Sequence, residues 1–227
     1  MTKNTPQLEL WIQDIQSYLY KIISEPMEKA GFKFERYNYS FKRKHEKNIQ
    51  EFGFLFINQF PVNYRLNFVL QIRNHAVREI KSTFSNHTEK NNFKLSSLIM
   101  MMSDFTAVNN SRSTIDYIIF TNQDLFAATE AILRILVDQA IPLCDELKTM
   151  DDLDSFYEKH PGWSVNSLSL DNIISDLIIG RIGRKRNFDI LYQQLAEDMD
   201  KKIQHGEING EAADILRSCY KFLLRKY

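Results

Sequence analysis

The stretch with the most chemical promise is "DLIIGRIGRKRNF", Asp176 to Phe188. Two glycines three apart, Gly180 and Gly183, run into Arg184, Lys185 and Arg186. A phosphate-binding loop uses glycines this way: backbone N–H groups approach the oxygens while a lysine reaches over them. That chemistry needs the full spacing ending in Gly-Lys-Ser/Thr after a strand. No such Ser or Thr is present, and Ile173, Ile174, Leu177 and Ile178 fall at helical spacing instead. The stretch therefore predicts a helix ending at Gly180 or Gly183, with basic residues in its last turn and Asn187 capping the next helix. An anion site at the N-terminus of that next helix is the remaining chemistry. Arg184, Lys185 and Arg186 are accordingly candidate binding residues.

Carboxylates come next. "DDLD" brings Asp151, Asp152 and Asp154 together, with Asp151 and Asp154 on one face if the segment is helical. A hydrolytic or metal site needs further ligands that the sequence does not supply, so helix capping and solvation account for these acids. The five histidines are scattered without ligand spacing, so no metal is expected, and His75 in "QIRNHAV" reads as structural. Cys144 and Cys219, in "AIPLCDEL" and "ILRSCYKFLL", read as buried, reduced thiols. No serine nucleophile elbow, Cys–His arrangement or dinucleotide fingerprint appears, and no cofactor is expected.

Basic residues interleaved with aromatic ones form the third candidate. "FERYNYSFKRKH" alternates Tyr37, Tyr39 and Phe41 with Arg36, Asn38, Ser40 and Lys42. "YRLNFVLQIR" alternates Tyr64, Leu66, Phe68, Leu70 and Ile72 with Arg65, Asn67, Val69, Gln71 and Arg73. Period two means strands. Between them "EFGFLFINQ" is apolar on both faces, as a central strand would be. "IDYIIF", Ile115 to Phe120, is a fourth strand. The second sheet face would thus carry Arg36, Lys42, Arg65, Arg73, Asn67 and Gln71 beside Leu55, Ile57 and Val69. Such a face suits a partner protein, a nucleic acid, or a cover of this chain's own helices.

The elements that position these residues divide near Phe120. Leu8 to Lys29 has one apolar helical stripe, stopped by Gly31. Residues 77–110 resist reading, with loops by composition at "SNHTEKNN" and "VNNSRST". Beyond Phe120 only helices are predicted. One starts at a cap on Asn122 or Asp124, reaches about Leu147 and is bent by Pro142. Others span "MDDLDSFYEK", Leu170–Arg181, Asn187 to about Gln204, and Asn209–Lys226. The expected fold is α+β: an antiparallel sheet of about four strands with an N-terminal helix on one face (1–120), then a helical bundle (121–227). The absence of a Gly/Pro-rich linker makes the two regions one structural unit.

The chain has 227 residues and no net charge, yet the charge is uneven. Residues 1–120 hold 16 Lys and Arg against 11 Asp and Glu, while residues 121–227 hold 13 against 18. Of the 16 phenylalanines, 12 lie between Phe32 and Phe120. No apolar run has membrane-spanning length, and the N-terminus lacks the apolar core of a signal peptide, so the expected location is the cytoplasm.

The order of helix, "EKAGFKFERYNYSFKRK", aromatic strands, "IDYIIF" and "AIPLCDELKTMDDLDSF" resembles an uncharacterised family of bacterial sheet-plus-helix proteins, over roughly Leu8 to Tyr157. The resemblance implies the fold and no residue roles. The leading functional expectation is a non-enzymatic protein-binding module, whose basic and acidic halves offer complementary surfaces or permit self-association. The alternative is single-stranded nucleic-acid binding on the sheet face, by stacking and backbone charge. A third is a hydrolytic site where Arg65 or Arg73 meets Asp151, Asp154 or Glu158.

Overall fold

The computed structural model describes residues 12–59, 63–84, 96–101, 105, 117–161 and 170–227. The apolar stripe of the first helix does what its spacing requires. In α1, Ile12–Lys29, Ile15, Leu19, Ile23 and Met27 are buried. Tyr20 packs beside them, its ring centroid 6.0 Å from that of Phe41 and 5.2 Å from that of Phe54, so the helix lies on the sheet. Pro26 sits inside the last turn without ending it. The helix stops at Gly31, whose φ of +82° is the left-handed backbone a glycine adopts at least cost. Residues 1–11, and with them the predicted start at Leu8, lie outside the described residues.

Among the described residues six strands follow: β1 Lys33–Glu35, β2 Ser40–His45, β3 Asn48–Gln59, β4 Asn63–Asn74, β5 Leu98–Met101 and β6 Tyr117–Ile119. The order is β1-β2-β3-β4-β5, and β6 also pairs with β4. β1 runs antiparallel to β2 with Phe34 opposite Phe41, and β6 antiparallel to β4 with Ile118 opposite Arg65. The sheet is thus antiparallel, with two more strands than the sequence predicts. One difference arises because "FERYNYSFKRKH" is not one strand. It folds into the β1–β2 hairpin, turning at Arg36–Tyr39. The other is β5, from a segment the sequence left unread. The predicted loops "SNHTEKNN" and "VNNSRST" lie outside the described residues.

β4 is buried on both sides. Leu66, Phe68, Leu70 and Ile72 are at most 1% exposed, and Asn67, Val69 and Gln71 are buried too. The second sheet face is therefore not open along its middle, as a binding face would have to be. Directly after β4, helix α2, His75–Phe84, starts with Asn74 accepting from the N–H of Ala76 at 2.9 Å.

After β6 every described element is helical: α3 Asn122–Ile135, a π-turn at Leu136–Ala140, α4 Ile141–Glu146, α5 Met150–Lys159, α6 Leu170–Gly183, α7 Phe188–Gln204 and α8 Glu211–Lys226. Two N-caps differ from expectation in the same way. Thr121 and Thr149 are the caps, each in a capping box with the acid three residues on, Asp124 and Asp152. The hydroxyl just before the helix reaches the N–H of the third helical residue, and the acid there reaches back to the N–H of the threonine.

The chain forms two compact units that interleave along the sequence. The first holds residues 1–43, 50–70 and 100–145, and its core is built from α1, the β2–β4 aromatics and α3. The second holds 44–49, 71–99 and 146–227, with a core centred on α6. Every residue of α6 from Asn172 to Gly180 is buried. No helix among the described residues is long and apolar enough to cross a membrane.

Candidate functional site

Two places in the fold gather chemistry, one in each unit. In the second unit, the cap at Thr149 sets the phase of α5 and so separates the three acids of "DDLD". Asp151 is exposed. Asp152 turns back to the helix start, accepting from the N–H of Thr149 at 2.7 Å. Asp154 lies among Met150, Leu153 and Tyr157 on the apolar stripe and has no exposed surface. An isolated buried carboxylate is costly, so a partner is required. The partner is Arg186: its Nε lies 2.6 Å from Asp154 Oδ1, and its Nη1 lies 2.7 Å from Oδ1 of the equally buried Asp176. Burial works against the guanidinium charge, but Asp176 and Asp154 outweigh it and hold the Arg186 pKa above its ordinary value.

The two glycines serve this centre. A Cβ on Gly183 would stand 2.5 Å from Asp154 Oδ2, and one on Gly180 would stand 2.3 Å from Leu191 Cδ2 and 3.0 Å from Arg186 Nη2. Gly180 and Gly183 are where α6 admits α5 and the start of α7. The chain then turns through Arg184 at φ +61°. The N–H of Lys185 donates to Asp154 Oδ2 at 3.1 Å, and its ammonium donates to Ser155 Oγ at 2.7 Å and Asp151 O at 3.1 Å. Asn187 caps α7, accepting from the N–H groups of Asp189 and Ile190.

A half-open cleft of about 540 Å³ lies alongside, lined by Tyr157, Glu158, Arg186, Asn187, Ile190 and Gln194 among others. Arg186 in its wall is spanned by two carboxylates, so the glycine-rich basic stretch is the hinge of an ion-paired core. Asp154, one of the three acids considered as partners for Arg65 or Arg73, is paired with Arg186. The signal was in the sequence: Asp154 and Asp176 each fall inside an apolar stripe, where an acid needs a cation.

In the first unit the β1–β2 hairpin exposes aromatic surface. Tyr37 is 96% exposed, Tyr39 55% and Phe34 36%. The rings are braced from below. Tyr20 lies 5.2 Å from Phe34 and 6.1 Å from Tyr39 by centroids, and Phe34 lies 5.1 Å from Phe41. The Tyr20 hydroxyl donates to the carbonyl of Tyr39, which holds a left-handed φ of +46°. Burial pushes the Tyr20 phenol up to about 12.

The predicted basic residues stand in different surroundings. Arg36 is exposed in the hairpin turn. Lys42 is ion-paired with Glu35 and lies 3.5 Å from Glu51. Arg65 is half-buried opposite Ile118 in the first unit, whereas the half-buried Arg73 and the Arg184–Arg186 run belong to the second. His75 opens α2 at the surface, its Nδ1 3.6 Å from Glu79. Among the described residues no three of His, Cys, Asp and Glu assemble as metal ligands. Cys144 and Cys219 are free thiols and buried.

No family model matches the chain, and no curated protein or solved structure shows significant similarity to it.

Proposed function

We propose that this chain is a protein-binding module that engages its partner through the β1–β2 hairpin. The observation that carries the reading is Tyr37, almost wholly exposed at the tip, with Phe34 and Tyr39 half-exposed beside it. Large aromatic side chains kept in water forgo the free energy of burial, roughly 25 cal/mol per Å² of apolar area. Clusters of them mark contact sites, and Tyr and Arg are the residues enriched in binding hot spots.

Phe34 and Tyr39 are held by ring contacts with Tyr20, which lowers the side-chain entropy lost on docking. The charge of the tip points to a kind of partner. Glu35 is held by Lys42 and accepts from Asn38 at 3.2 Å, which leaves the exposed Lys33 and Arg36 as the tip's outward charges. A partner surface with an apolar socket and an acidic rim complements it.

A photo-crosslinking amino acid at position 37, compared with one at the exposed Arg217, tests the reading in the native cytoplasm. The expected result is a discrete protein adduct from position 37 only, lost when Phe34→Ser and Arg36→Glu are introduced. Identical adducts from both positions, or adducts with RNA in place of protein, would overturn it.

A further inference from the structure

Helix α2 has an apolar stripe of Val77, Ile80 and Phe84, and Lys81 lies within it, only 2% exposed. A buried lysine must find oxygen acceptors or lose its charge. Its Nζ lies 3.1 Å from Ser96 O, 3.0 Å from Asp171 O and 3.0 Å from Ser175 Oγ. Three acceptors match the three N–H bonds of an ammonium. All three are uncharged, and among the described residues the carboxylate facing the group, that of Asp171, stands 3.9 Å away. The surroundings are fixed as well. Ser96 Oγ donates to Gln71 at 2.9 Å, and Tyr157 of α5 donates to the neighbouring Ser97 O at 2.9 Å. On the α8 side, α2 meets Phe222 through Phe84, with Lys226 over that ring. The further charges of α2 itself, Arg78 and Glu79, are exposed.

Ser175 makes a second arrangement available. Its hydroxyl lies 2.8 Å from Asp171 O and 3.2 Å from Ser96 O, so it donates to a carbonyl while accepting from Lys81. Turned through its one free torsion, the same hydroxyl can donate to a neutral amine. We infer that Lys81 is a proton-operated tie between α2 and the first turn of α6: charged, it donates to Ser96 O, Asp171 O and Ser175 Oγ; having released a proton to solvent, it accepts one hydrogen bond from Ser175. Both states leave the buried groups satisfied, so the tie changes character without breaking.

Burial lowers the Lys81 pKa to about 8 from an ordinary 10.5, with Asp171 opposing the fall. Between those two values the unfolded chain binds more protons than the folded one, so stability climbs as pH rises through that window. Below about pH 8 the full cost of the buried charge is present.

Two measurements on the whole chain test the tie. In protein labelled with ¹³C at lysine and serine, the Lys81 Cε resonance is expected to titrate with a midpoint near 8, and Ser175 Cβ to move with the same midpoint. A Lys81 midpoint near 10.5, or a silent Ser175, would overturn the inference. In denaturant unfolding, the folding constant of the native chain is expected to rise on the order of a hundredfold relative to Lys81→Met between pH 8 and 10.5. Parallel pH curves for the two proteins would likewise sink it.

Discussion

Gly183 and Asp154 stand so close that a methyl group on the glycine would lie 2.5 Å from a carboxylate oxygen. The approach is what allows an acid with no exposed surface to reach its arginine, and it makes Gly183→Ala an informative change. Alanine normally favours a helix over glycine by about 1 kcal/mol. Here the added carbon must push Asp154 off Arg186, and overpacking of that kind costs about 1–3 kcal/mol. The expected outcome is a net loss of stability in urea unfolding, and a gain would mean that α5 and α6 are less tightly engaged than the geometry requires.

Arg186 carries two buried carboxylates, so the three residues should fail singly and succeed together. Arg186→Met leaves Asp154 and Asp176 uncompensated, an expected loss of about 3–5 kcal/mol. The triple change Asp154→Leu, Asp176→Leu, Arg186→Met removes every charge and is expected to be more stable than the single variant. Equilibrium unfolding at one pH decides it; a triple variant weaker than Arg186→Met would show that shape, rather than charge balance, sets the cost.

How much of this was legible depends on which force governed each residue. α1 reads cleanly because its stripe carries only apolar side chains and a glycine ends it. The β1–β2 hairpin does not, because "ERYNY" holds no glycine or proline and the left-handed position falls on Tyr39, a residue type that rarely takes it. The helix α2 escaped because Lys81 interrupts its stripe, and the amine's reason for being there is made by Ser96, Asp171 and Ser175 at distant positions in the chain. The spacing of Gly180 and Gly183 predicts a helix end, and α6 ends at Gly183. Their tight contacts with Leu191 and Asp154 are tertiary, and no local pattern encodes them. The acids at Asp154 and Asp176 announced that a cation was needed, but not that one arginine would answer both.

The capping boxes give a prediction that separates neighbours in sequence. Thr149 Oγ1 accepts from the N–H of Asp152 at 3.2 Å, while Asp151 is exposed and caps nothing. Thr149→Ala should cost about 1 kcal/mol, and Asp151→Ala should fall within about 0.5 kcal/mol of the native chain. Thermal unfolding of the two variants side by side checks the assignment. Equal losses would return the cap to the acids.

The thiols supply the last prediction, and it reads out the cores of both units separately. Burial pushes Cys144 and Cys219 up to about 12, although Arg43 opposes the rise at Cys144. At pH 8 the thiolate fraction of either would then be on the order of one in ten thousand, and only the thiolate attacks a disulfide reagent. Labelling of the native chain should therefore wait for local opening, with both thiols reacting promptly once the chain is denatured. The order of opening is also set. Cys219 lies in α8, which buries a single stripe of Ala212, Leu216, Cys219 and Leu223, and elements with few buried contacts open at low free energy. Cys144 is pinned by its neighbours: its carbonyl accepts from Gln50 Nε2 at 2.6 Å, and Gln50 in turn accepts from Arg43 at 2.8 Å. In mild urea, mass spectrometry of the labelled chain is expected to find the modification at Cys219 first. Prompt labelling of the native chain, or labelling at Cys144 ahead of Cys219, would show that the hydrogen-bonded strand end around Gln50 opens more readily than the last helix.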